Sequence, residues 1–439
     1  MTTQSASDFE LLAASVRGDV IAPHDPRWDA ARAAWNLLAD QHPALIVRPL
    51  DTADVAAAVR YARAAGLEVT VQGTGHGAAP AHDVDGTLLV RTVHLNDVTV
   101  DPAARTARVG AGAIWGEVVA AAAPHGLTGL HGFSSGVGVA GYVLGGGLGW
   151  QARLHGLASS HVRAFDVVTA DGEARRVDAH THPDLFWALS GGGGAGVIVT
   201  AIELELVELR HAYAGALLWS MDRAHEVAHA YRDWITTLPD TVTSSLRLLH
   251  FPPLPQLPEA IRGRALVQIT LAFLGQASEG ERLVAPLRAI APEIDQVGLI
   301  PAARLGEIAG DPVDPMPVAS HSRLLTEITP QAIDAFVALA TPAATVVELR
   351  HLGGALRTPP RATAAGAIDA EVLVFASGVP ATPDLARALQ RTFAAIDALA
   401  PLPERRTLLT FSRDHRAAFA PDVLDRLQAV RRDARLFDY

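Results

Sequence analysis

Apolar positions near the start of the chain follow helical spacing in some stretches and strand spacing in others. Residues 27–39 have a helical pattern, and residues 44–47 form a short apolar run typical of a strand. A second helix is predicted to begin with Asp51 or Thr52 as its cap and to end at Gly66. The first part of the chain therefore predicts helices and strands in alternation.

Glycine-rich loops interrupt this pattern. A predicted strand over residues 67–72 runs directly into a glycine loop, and short strands with turn signals follow from Thr87. After a predicted helix over residues 114–123, residues 132–149 contain eight glycines, too many for a packed helix or an ordinary strand. The sequence predicts that another group approaches this backbone closely.

The character of the chain changes near residue 208, where amphipathic helical patterns and longer apolar strands begin. We expect a first domain over residues 1–207 and a second domain, a sheet with covering helices, over residues 208–400. Residues 401–439 contain a further helical pattern and are expected to return to the first domain.

The amino-acid composition limits the classes of protein to which this chain can belong. The 439 residues are 49% hydrophobic and 19% charged, which is typical of a globular protein. A net charge of -11 disfavours a nucleic-acid partner, so we expect a small molecule. Without a signal-like start or an apolar run of about 18 residues, a cytoplasmic protein without a membrane span is expected. The chain has no cysteine, which excludes disulfides, thiolate metal sites and a cysteine nucleophile.

Three glycine clusters carry the candidate chemistry: GTGHG at residues 73–77, GVGVAGYVLGGGLG at 136–149 and GGGGAG at 191–196. Glycine allows several backbone N–H groups to point into one cavity, and such an arrangement binds pyrophosphate. Three clusters in the first half of the chain indicate one large phosphorylated ligand.

Two short patterns suggest other functions. GVGVAG at residues 136–141 fits the glycine pattern of a Rossmann nucleotide site. The pattern also requires a strand before it, a helix after it and an acidic residue about 20 positions later, and none of these is predicted here. His161 lies near the position expected for the acidic residue. HEVAH at residues 225–229 fits a zinc-protease pattern, with both histidines on one face of a predicted helix. No third ligand stands out downstream, so an amphipathic surface helix is the favoured interpretation, and no metal site is predicted.

Longer strings of residues resemble a known family. The strings PALIVRPLDTADVAAAVRYARAAGLEVTVQGTGH, VGVAGYVLGGGLGW and PDLFWALSGGGG resemble, in order and spacing, the FAD-binding domain of the berberine-bridge-enzyme-like oxidoreductases of the vanillyl-alcohol-oxidase family. The similarity covers about residues 30–207. It implies an α+β fold: a PCMH-type FAD-binding domain of two α/β subdomains, and a substrate domain of antiparallel sheet covered by helices.

The resemblance also implies a covalent cofactor. His76 stands where the family's histidine bonds to the 8α-methyl of FAD, whereas a histidine in an isolated loop is more often exposed or hydrogen-bonded. Ser134 occupies the place of a second, cysteinyl attachment, so a single histidyl linkage is expected. Val137 stands where the family's oxidases have a small residue, which favours dioxygen as electron acceptor. The alternative interpretation is that Val137 only contributes to packing. The other implied FAD contacts are Gly73, Thr74, Gly75, Gly77, Gly138, Gly141, Tyr142, Gly145, Gly146, Gly149 and Val199.

The second domain is expected to supply the catalytic base. With five tyrosines in the chain, a tyrosine base is disfavoured, although Tyr142 is a candidate beside the flavin. In TVVELRH the period of two places Glu348 and Arg350 on one face of a strand. Glu348 is the candidate base, with Arg350 holding it or an anionic substrate; a surface ion pair is the alternative. His250, Arg247 and Gln268 are weaker candidates.

The resemblance implies hydride transfer from an alcohol, amine or ring C–H of a small molecule, with reoxidation by dioxygen. A flavin dehydrogenase or oxygenase, or a flavin-binding protein with degraded catalysis, is the alternative, since the family's usual substrate-domain motifs are missing. Family members act on sugars, alkaloids or polyketide-like secondary metabolites, and the apolar strands of this chain favour the last class.

Overall fold

The computed structural model describes residues 10–78, 84–399, 407–412 and 414–433. Within these residues the strands form four sheets, three of them wholly antiparallel and one mixed. This combination of helices with antiparallel sheet confirms the predicted α+β class. None of the helices in the described ranges is both long enough and apolar enough to cross a membrane.

The strands of the described residues are β1 (Asp19–Ile21), β2 (Leu45–Arg48), β3 (Val69–Gln72), β4 (Leu88–Arg91), β5 (Val98–Asp101), β6 (Thr106–Gly110), β7 (Leu127–Thr128), β8 (Val162–Val168), β9 (Ala174–Asp178), β10 (Ile198–Glu205), β11 (Val207–Glu208), β12 (His211–Ser220), β13 (Val242–His250), β14 (Ala265–Phe273), β15 (Ile294–Asp295), β16 (Gly298–Pro301), β17 (Ala319–Leu325), β18 (Val346–His351) and β19 (Val372–Gly378). The named helices are α1 (Trp28–Arg32), α2 (Thr52–Ala65), α3 (Trp115–Ala122), α4 (Val139–Leu144), α5 (Ala152–His155), α6 (Pro183–Leu189), α7 (Ala224–Ile235), α8 (Ala277–Ala289), α9 (Pro330–Val337), α10 (Pro383–Asp397), α11 (His415–Ala418) and α12 (Pro421–Asp433).

The first sheet is built around a parallel crossover. Strands β2, β4 and β3 run parallel in that order, and β1 pairs antiparallel with β2 at the edge. Helix α2 connects β2 to β3. The Asp51 side chain accepts a hydrogen bond from the backbone N–H of Asp54, and Gly66 ends the helix with φ 66°. The predicted cap and stop are therefore confirmed, and β3 leads the chain into the turn at Gly73.

The opening helix is shorter than its pattern predicts. The predicted helix over residues 27–39 is wrong in its second half, because α1 covers only the first part. The backbone N–H groups of Trp35 and Asn36 donate instead to the carbonyl oxygens of Thr74 and Gly75, at 3.0 and 3.3 Å. Pairing with the first glycine turn thus replaces the helical hydrogen bonds.

The second sheet has the strand order β5-β6-β10-β8-β9 and is antiparallel throughout. The predicted hairpin at Asp101 is present, since this residue faces Thr106 across the turn. Helices α3, α4 and α6 contribute Trp115, Val139 and Trp187 to the buried cluster of this sheet. Strands β7 and β11 form a separate pair beside it.

The third sheet has eight antiparallel strands in the order β15-β12-β14-β13-β18-β19-β17, with β16 also paired to β12. Its outer face, defined by Leu246, Val347 and Val374, is covered by helices α7 to α10, which contribute Tyr231 and Phe336 to the same buried cluster.

The inner face of the third sheet is directed towards the first half of the chain. Ala214, Ala272 and Leu373 on this face share a buried cluster with Phe133 and Trp150 of the second glycine-rich segment. Alternate residues of each strand point to opposite faces, so the inner face is the one from which the sheet can reach the glycine turns.

The described part of the C-terminal segment lies against both halves. Leu408 belongs to the inner-face cluster, whereas Leu427 and Val430 of α12 pack into the cluster of the second sheet. Of the expected C-terminal segment, residues 401–406, 413 and 434–439 lie outside the described residues.

Arg153 of α5 connects the two halves through buried polar contacts. Its Nε donates to the Leu352 carbonyl at 2.9 Å, and its Nη1 donates to the Val242 carbonyl at 2.6 Å. Its Nη2 donates to Asp240 at 3.1 Å. Burial lowers the pKa of Arg153, so these acceptors compensate a guanidinium removed from water.

We expect Arg153→Met to lower the free energy of unfolding by about 2–4 kcal/mol, because buried carbonyl groups lose their donor. Arg163→Met is the control, since the Arg163–Glu205 pair has an arginine side chain that is 44% exposed and should contribute less than about 1 kcal/mol. Urea unfolding followed by tryptophan fluorescence measures both changes. Equal losses in the two variants would contradict the connecting role of Arg153.

Candidate active site

The first glycine turn, residues 73–77, is held against the start of the chain. Gly75 has φ 82°, and a Cβ placed on it would lie 2.8 Å from the Ala34 Cβ. A side chain at Gly75 is therefore excluded both by the backbone conformation and by the contact. The turn is rigid, and it fixes the direction of the next side chain, His76.

His76 is a partly buried imidazole with a defined hydrogen on one nitrogen. Its ring stacks on Trp35 with centroids 4.0 Å apart, and its Nε2 lies 3.2 Å from the Gly136 carbonyl oxygen. A carbonyl oxygen can only accept, so Nε2 carries the hydrogen and Nδ1 keeps its lone pair. Burial lowers the pKa of His76 to about 4, although the Gly136 carbonyl opposes this shift. At neutral pH the ring is an uncharged nucleophile.

The second glycine turn meets the first at His76. A Cβ placed on Gly136 would lie 3.9 Å from Ser134 Oγ and 4.0 Å from His76 Nε2. A Cβ on Gly138 would lie 3.3 Å from Thr74 Oγ1. The structure therefore brings together two turns that are sixty residues apart in the chain.

The long glycine run contains a short helix that its glycine content did not predict. Before it, Val137 accepts from the Trp115 N–H at 3.0 Å and Val139 donates to the Ala113 carbonyl at 2.9 Å. Helix α4 then follows, and apart from the backbone of α4 itself no atom of the described residues lies within 4 Å of a Cβ placed on Gly141. The backbone of α4 at Gly141 is consequently open to close approach by a ligand.

The predicted cofactor contacts fall into two groups. The residues of the two turns that meet at His76 are Gly73, Thr74, Gly75, Gly77, Ser134, Val137 and Gly138. The later glycines are in close contact with other parts of the protein. A Cβ placed on Gly145 would lie 3.1 Å from Thr410 Cα, and a Cβ placed on Gly146 would lie 3.3 Å from Leu157 Cδ1. A Cβ placed on Gly149 would lie 1.9 Å from the His131 carbonyl oxygen. Val199 is buried in β10, in the same cluster as Val139.

The third glycine cluster lies at the end of α4. The Gly193 N–H donates to the Leu144 carbonyl at 2.9 Å, and Gly191, Gly193 and Gly196 all have positive φ. Ala195 also has a positive φ of 46°, a conformation that usually requires glycine or asparagine. All three glycine clusters therefore contact either His76 or α4.

The polar atoms around these turns suit a large polar ligand. Within the described residues, the buried side-chain atoms of the region that have no hydrogen-bond partner in the protein include Tyr142 OH, His131 Nε2, Trp150 Nε1 and Ser159 Oγ. Buried polar atoms are normally paired, so these atoms fit a ligand with many donors and acceptors. Together with the open backbone at Gly141 and the neutral His76, they fit the FAD that the sequence predicts.

Glu348 and Arg350 lie on the inner face of the third sheet and are 1% and 7% exposed. Arg350 Nη2 donates to Glu348 Oε2 at 3.0 Å, and Arg247 Nε lies 3.5 Å from the same oxygen. No described residue hydrogen-bonds to Glu348 Oε1. The alternative of a surface ion pair is thereby excluded, since both groups are buried.

Aromatic rings enclose Arg350. Its guanidinium carbon lies 4.1 Å from the ring centre of Phe133, 4.7 Å from that of Phe411 and 5.4 Å from that of Phe375. Phe133 directly precedes Ser134 in the second glycine-rich segment. The carboxylate of Glu348 therefore lies beside the segment that carries the glycine turns, and the two halves form one site.

Several residues of this site were only weaker candidates in the sequence or were not predicted from it. Arg247, a weaker candidate, faces Glu348 across β13 and β18 and donates to the Ala309 carbonyl at 2.6 Å and to Asp311 at 2.5 Å. Phe133, Phe411 and Asp311 carry no motif and come from three separate segments. Gln268 lies opposite Arg247 on the inner face, whereas His250 falls on the alternate face at the end of β13.

Tyr142 is buried in the core beside the second glycine-rich segment. Its ring packs edge-on against Trp115, with centroids 5.5 Å apart, and burial raises its pKa. Both its catalytic role and the contact of its hydroxyl with the cofactor stay predictions. Tyr213 and Tyr231 belong to the outer-face cluster, and Tyr439 lies outside the described residues.

Comparison with known proteins agrees with this geometry. Residues 43–178 match the FAD binding domain family. The (R)-6-hydroxynicotine oxidase of Paenarthrobacter nicotinovorans is 37% identical over 207 residues, which are 47% of this chain and 45% of that protein. The chain thus aligns with about half the length of this curated relative.

Solved structures match over nearly the whole chain. The 6-hydroxy-D-nicotine oxidase of Arthrobacter nicotinovorans has a TM-score of 0.83 and 26% identity, covering 96% of this chain and 95% of that one. BBE-like 1 of Physcomitrella patens has a TM-score of 0.83 and 18% identity, covering 97% and 96%. The glucooligosaccharide oxidase of Acremonium strictum, whose FAD is described as 6-S-cysteinyl and 8α-N1-histidyl, has a TM-score of 0.82 and 23% identity, covering 98% and 96%. These matches confirm the predicted resemblance and the PCMH-type fold.

We expect Gly141→Ala to reduce the share of purified protein that carries flavin about tenfold, because the added methyl group occupies the open side of α4. The flavin-free protein should gain about 0.5–1 kcal/mol in its free energy of unfolding, since alanine favours a helix. Absorbance and urea unfolding measure the two effects. Gly298→Ala is the control, because its Cβ also meets no protein atom but lies in β16, and it should keep its flavin. Equal flavin content in both variants would show that no ligand approaches Gly141.

Proposed function

We propose that this chain, whose residues 43–178 match the FAD binding domain family, holds FAD through a single covalent bond to His76 and oxidises a small organic molecule with dioxygen as electron acceptor. The observation that carries this proposal is the setting of His76: a neutral imidazole held between two glycine turns, whose Nδ1 hydrogen-bonds to no residue that the structure describes.

The covalent bond is assigned to Nδ1. Nε2 is occupied by its hydrogen bond to Gly136, so Nδ1 is the nitrogen with an available lone pair. Attachment would join Nδ1 to the 8α carbon of FAD, and the two protons and two electrons released would pass to dioxygen as hydrogen peroxide. Ser134, the neighbouring side chain, has a hydroxyl, a much weaker nucleophile than a thiolate, which supports a single linkage.

Acid precipitation of the purified protein tests this assignment. We expect yellow colour to stay with the precipitated chain and flavin to map to the peptide that contains His76. In His76→Ala, FAD should appear in the supernatant while the fold and part of the flavin binding persist. Ser134→Ala is the control and should keep the covalent flavin. Free flavin from the unchanged protein would contradict the proposal.

The attachment reaction should also be insensitive to mild acid. Since the pKa of His76 is lowered to about 4, the neutral ring persists down to about pH 5. We expect the attachment rate of flavin-free protein supplied with FAD to stay within about twofold from pH 8 to pH 5, whereas an imidazole with a pKa near 6.5 would lose roughly 30-fold. A loss of that size by pH 5 would show that His76 is not desolvated before the reaction.

Glu348 is proposed as the proton acceptor for the substrate. Arg350 and Arg247 both contact Oε2, which holds the carboxylate in place and leaves Oε1 for a substrate O–H or N–H. When bound, FAD supplies the two-electron acceptor that takes a hydride from the substrate carbon and passes both electrons to dioxygen. The organic product is then a carbonyl, imine or alkene.

The inner face favours a flat, apolar substrate. The rings of Phe133, Phe375 and Phe411 surround the guanidinium of Arg350, and apolar residues such as Leu373 continue the face. Such walls suit an aromatic or polyketide-like secondary metabolite with one hydroxyl or amine better than a sugar. Val137 stands where the oxidases of the resembling family have a small residue, which supports an oxidase over a dehydrogenase.

With a substrate identified by peroxide release, we expect Glu348→Gln to lower kcat by about 100-fold or more, because the amide cannot accept the proton. KM should change little, and flavin content should match the unchanged protein. Glu281→Gln, an exposed residue of α8, is the control. Steady-state kinetics over pH 6–9 provides the measurement. A kcat within threefold of the unchanged protein would exclude Glu348 as the base.

A further inference from the structure

Three potential metal ligands lie close together on the surface of helices α7 and α9, which cover the outer face of the third sheet. His225 and His229 of α7 and Asp334 of α9 present one donor atom each, and these atoms all lie within 4.8 Å of one another. His229 Nε2 is 2.8 Å and His225 Nδ1 is 3.4 Å from the same oxygen, Asp334 Oδ1. The two helices are 105 residues apart in the chain at this contact, so the carboxylate could not be recognised as a partner of the HEVAH pattern from sequence.

The spacing of these atoms suits a small tetrahedral ion. Ligand atoms about 2.0–2.1 Å from a zinc ion stand roughly 3.3 Å apart at the corners of a tetrahedron. The distances from the two histidine nitrogens to Asp334 Oδ1, 2.8 and 3.4 Å, lie on either side of this separation. Only small side-chain rotations would be needed to place an ion between the three donors.

The two helices hold the ligands on a rigid base. Histidines at positions i and i+4 share one helix face, and the opposite face of α7 is anchored by Tyr231, whose hydroxyl lies 3.1 Å from Ser244 Oγ of β13. Helix α9 is fixed at its start by Thr329, which accepts from the Ala332 N–H. The ligands are therefore largely preorganised before any ion binds.

We propose that His225, His229 and Asp334 form a binding site for one divalent ion of the zinc class, with the remaining position open to water. Two imidazoles and one carboxylate select Zn²⁺, Co²⁺, Ni²⁺ or Cu²⁺ over Mg²⁺ and Ca²⁺, which prefer oxygen ligands. The ion joins α7 to α9 across the outer face.

The site is structural rather than hydrolytic. Glu226, which occupies the place of the general base in the zinc-protease pattern, is held by Arg223 through two hydrogen bonds of 2.8 and 3.0 Å. Moreover, α7 covers the outer face, whereas Glu348 lies on the inner face. Metal binding is therefore independent of the proposed oxidation.

Titration calorimetry of the tag-free flavin-loaded protein with ZnCl₂ tests the proposal. We expect one ion per chain with a dissociation constant on the order of micromolar, and a thermal unfolding midpoint raised by about 2 °C or more at saturating zinc. His229→Ala and Asp334→Asn should each weaken binding at least about tenfold. MgCl₂ should give no saturable heat.

His180→Ala is the matched control, because it removes an exposed histidine from a different part of the surface and should bind zinc as the unchanged protein does. Both ligand variants change exposed or half-exposed residues, and flavin absorbance with zinc-free thermal unfolding verifies that they fold. Absence of one-to-one binding, or binding retained in His229→Ala, would overturn the proposal. Peroxide release should be unchanged by zinc or a chelator, so this test is separate from that of the proposed oxidase.

Discussion

The contact between Gly75 and Ala34 determines the position of the proposed reactive nitrogen. Because Gly75 has a positive φ and no side chain, the first glycine turn can lie directly on the segment of Ala34 to Asn36. This segment gives up its helical hydrogen bonds to pair with Thr74 and Gly75. Trp35 then stacks on His76, and the imidazole reaches Gly136 in the second turn.

The same segment also connects the glycine turns to the second half of the chain. The Trp35 carbonyl accepts from the Met316 N–H at 3.1 Å, and the Asn36 side chain donates to the Val318 carbonyl at 2.9 Å. Residues 316 and 318 lead directly into β17, an edge strand of the third sheet. The turn that carries His76 is thus placed relative to the sheet that carries Glu348 by short backbone contacts rather than by a flexible linker.

The two faces of the third sheet have different roles. The outer face is apolar and packs against helices α7 to α10, and the burial of this apolar surface stabilises the sheet. The inner face can therefore carry buried charge, because Arg350 and Arg247 pair with Glu348 and Asp311, and Arg350 also lies among three phenyl rings. A buried ion pair contributes little net stability, so this network is better explained by function than by folding.

Local patterns determined much of this protein. The cap at Asp51, the stop at Gly66 and the alternation in TVVELRH depend on residues close in sequence, and each was predicted correctly as local structure. The three glycine clusters were also recognised from the sequence, although the helix α4 inside the second cluster was not. The family resemblance and the cofactor class followed from the same strings. Contacts between distant segments were decided by the tertiary structure alone: the early end of α1, the packing of Tyr142, the ring of Phe411 on Arg350, and Asp334 beside two histidines. These depend on which surfaces become buried together, and neither periodicity nor spacing along one segment contains that information.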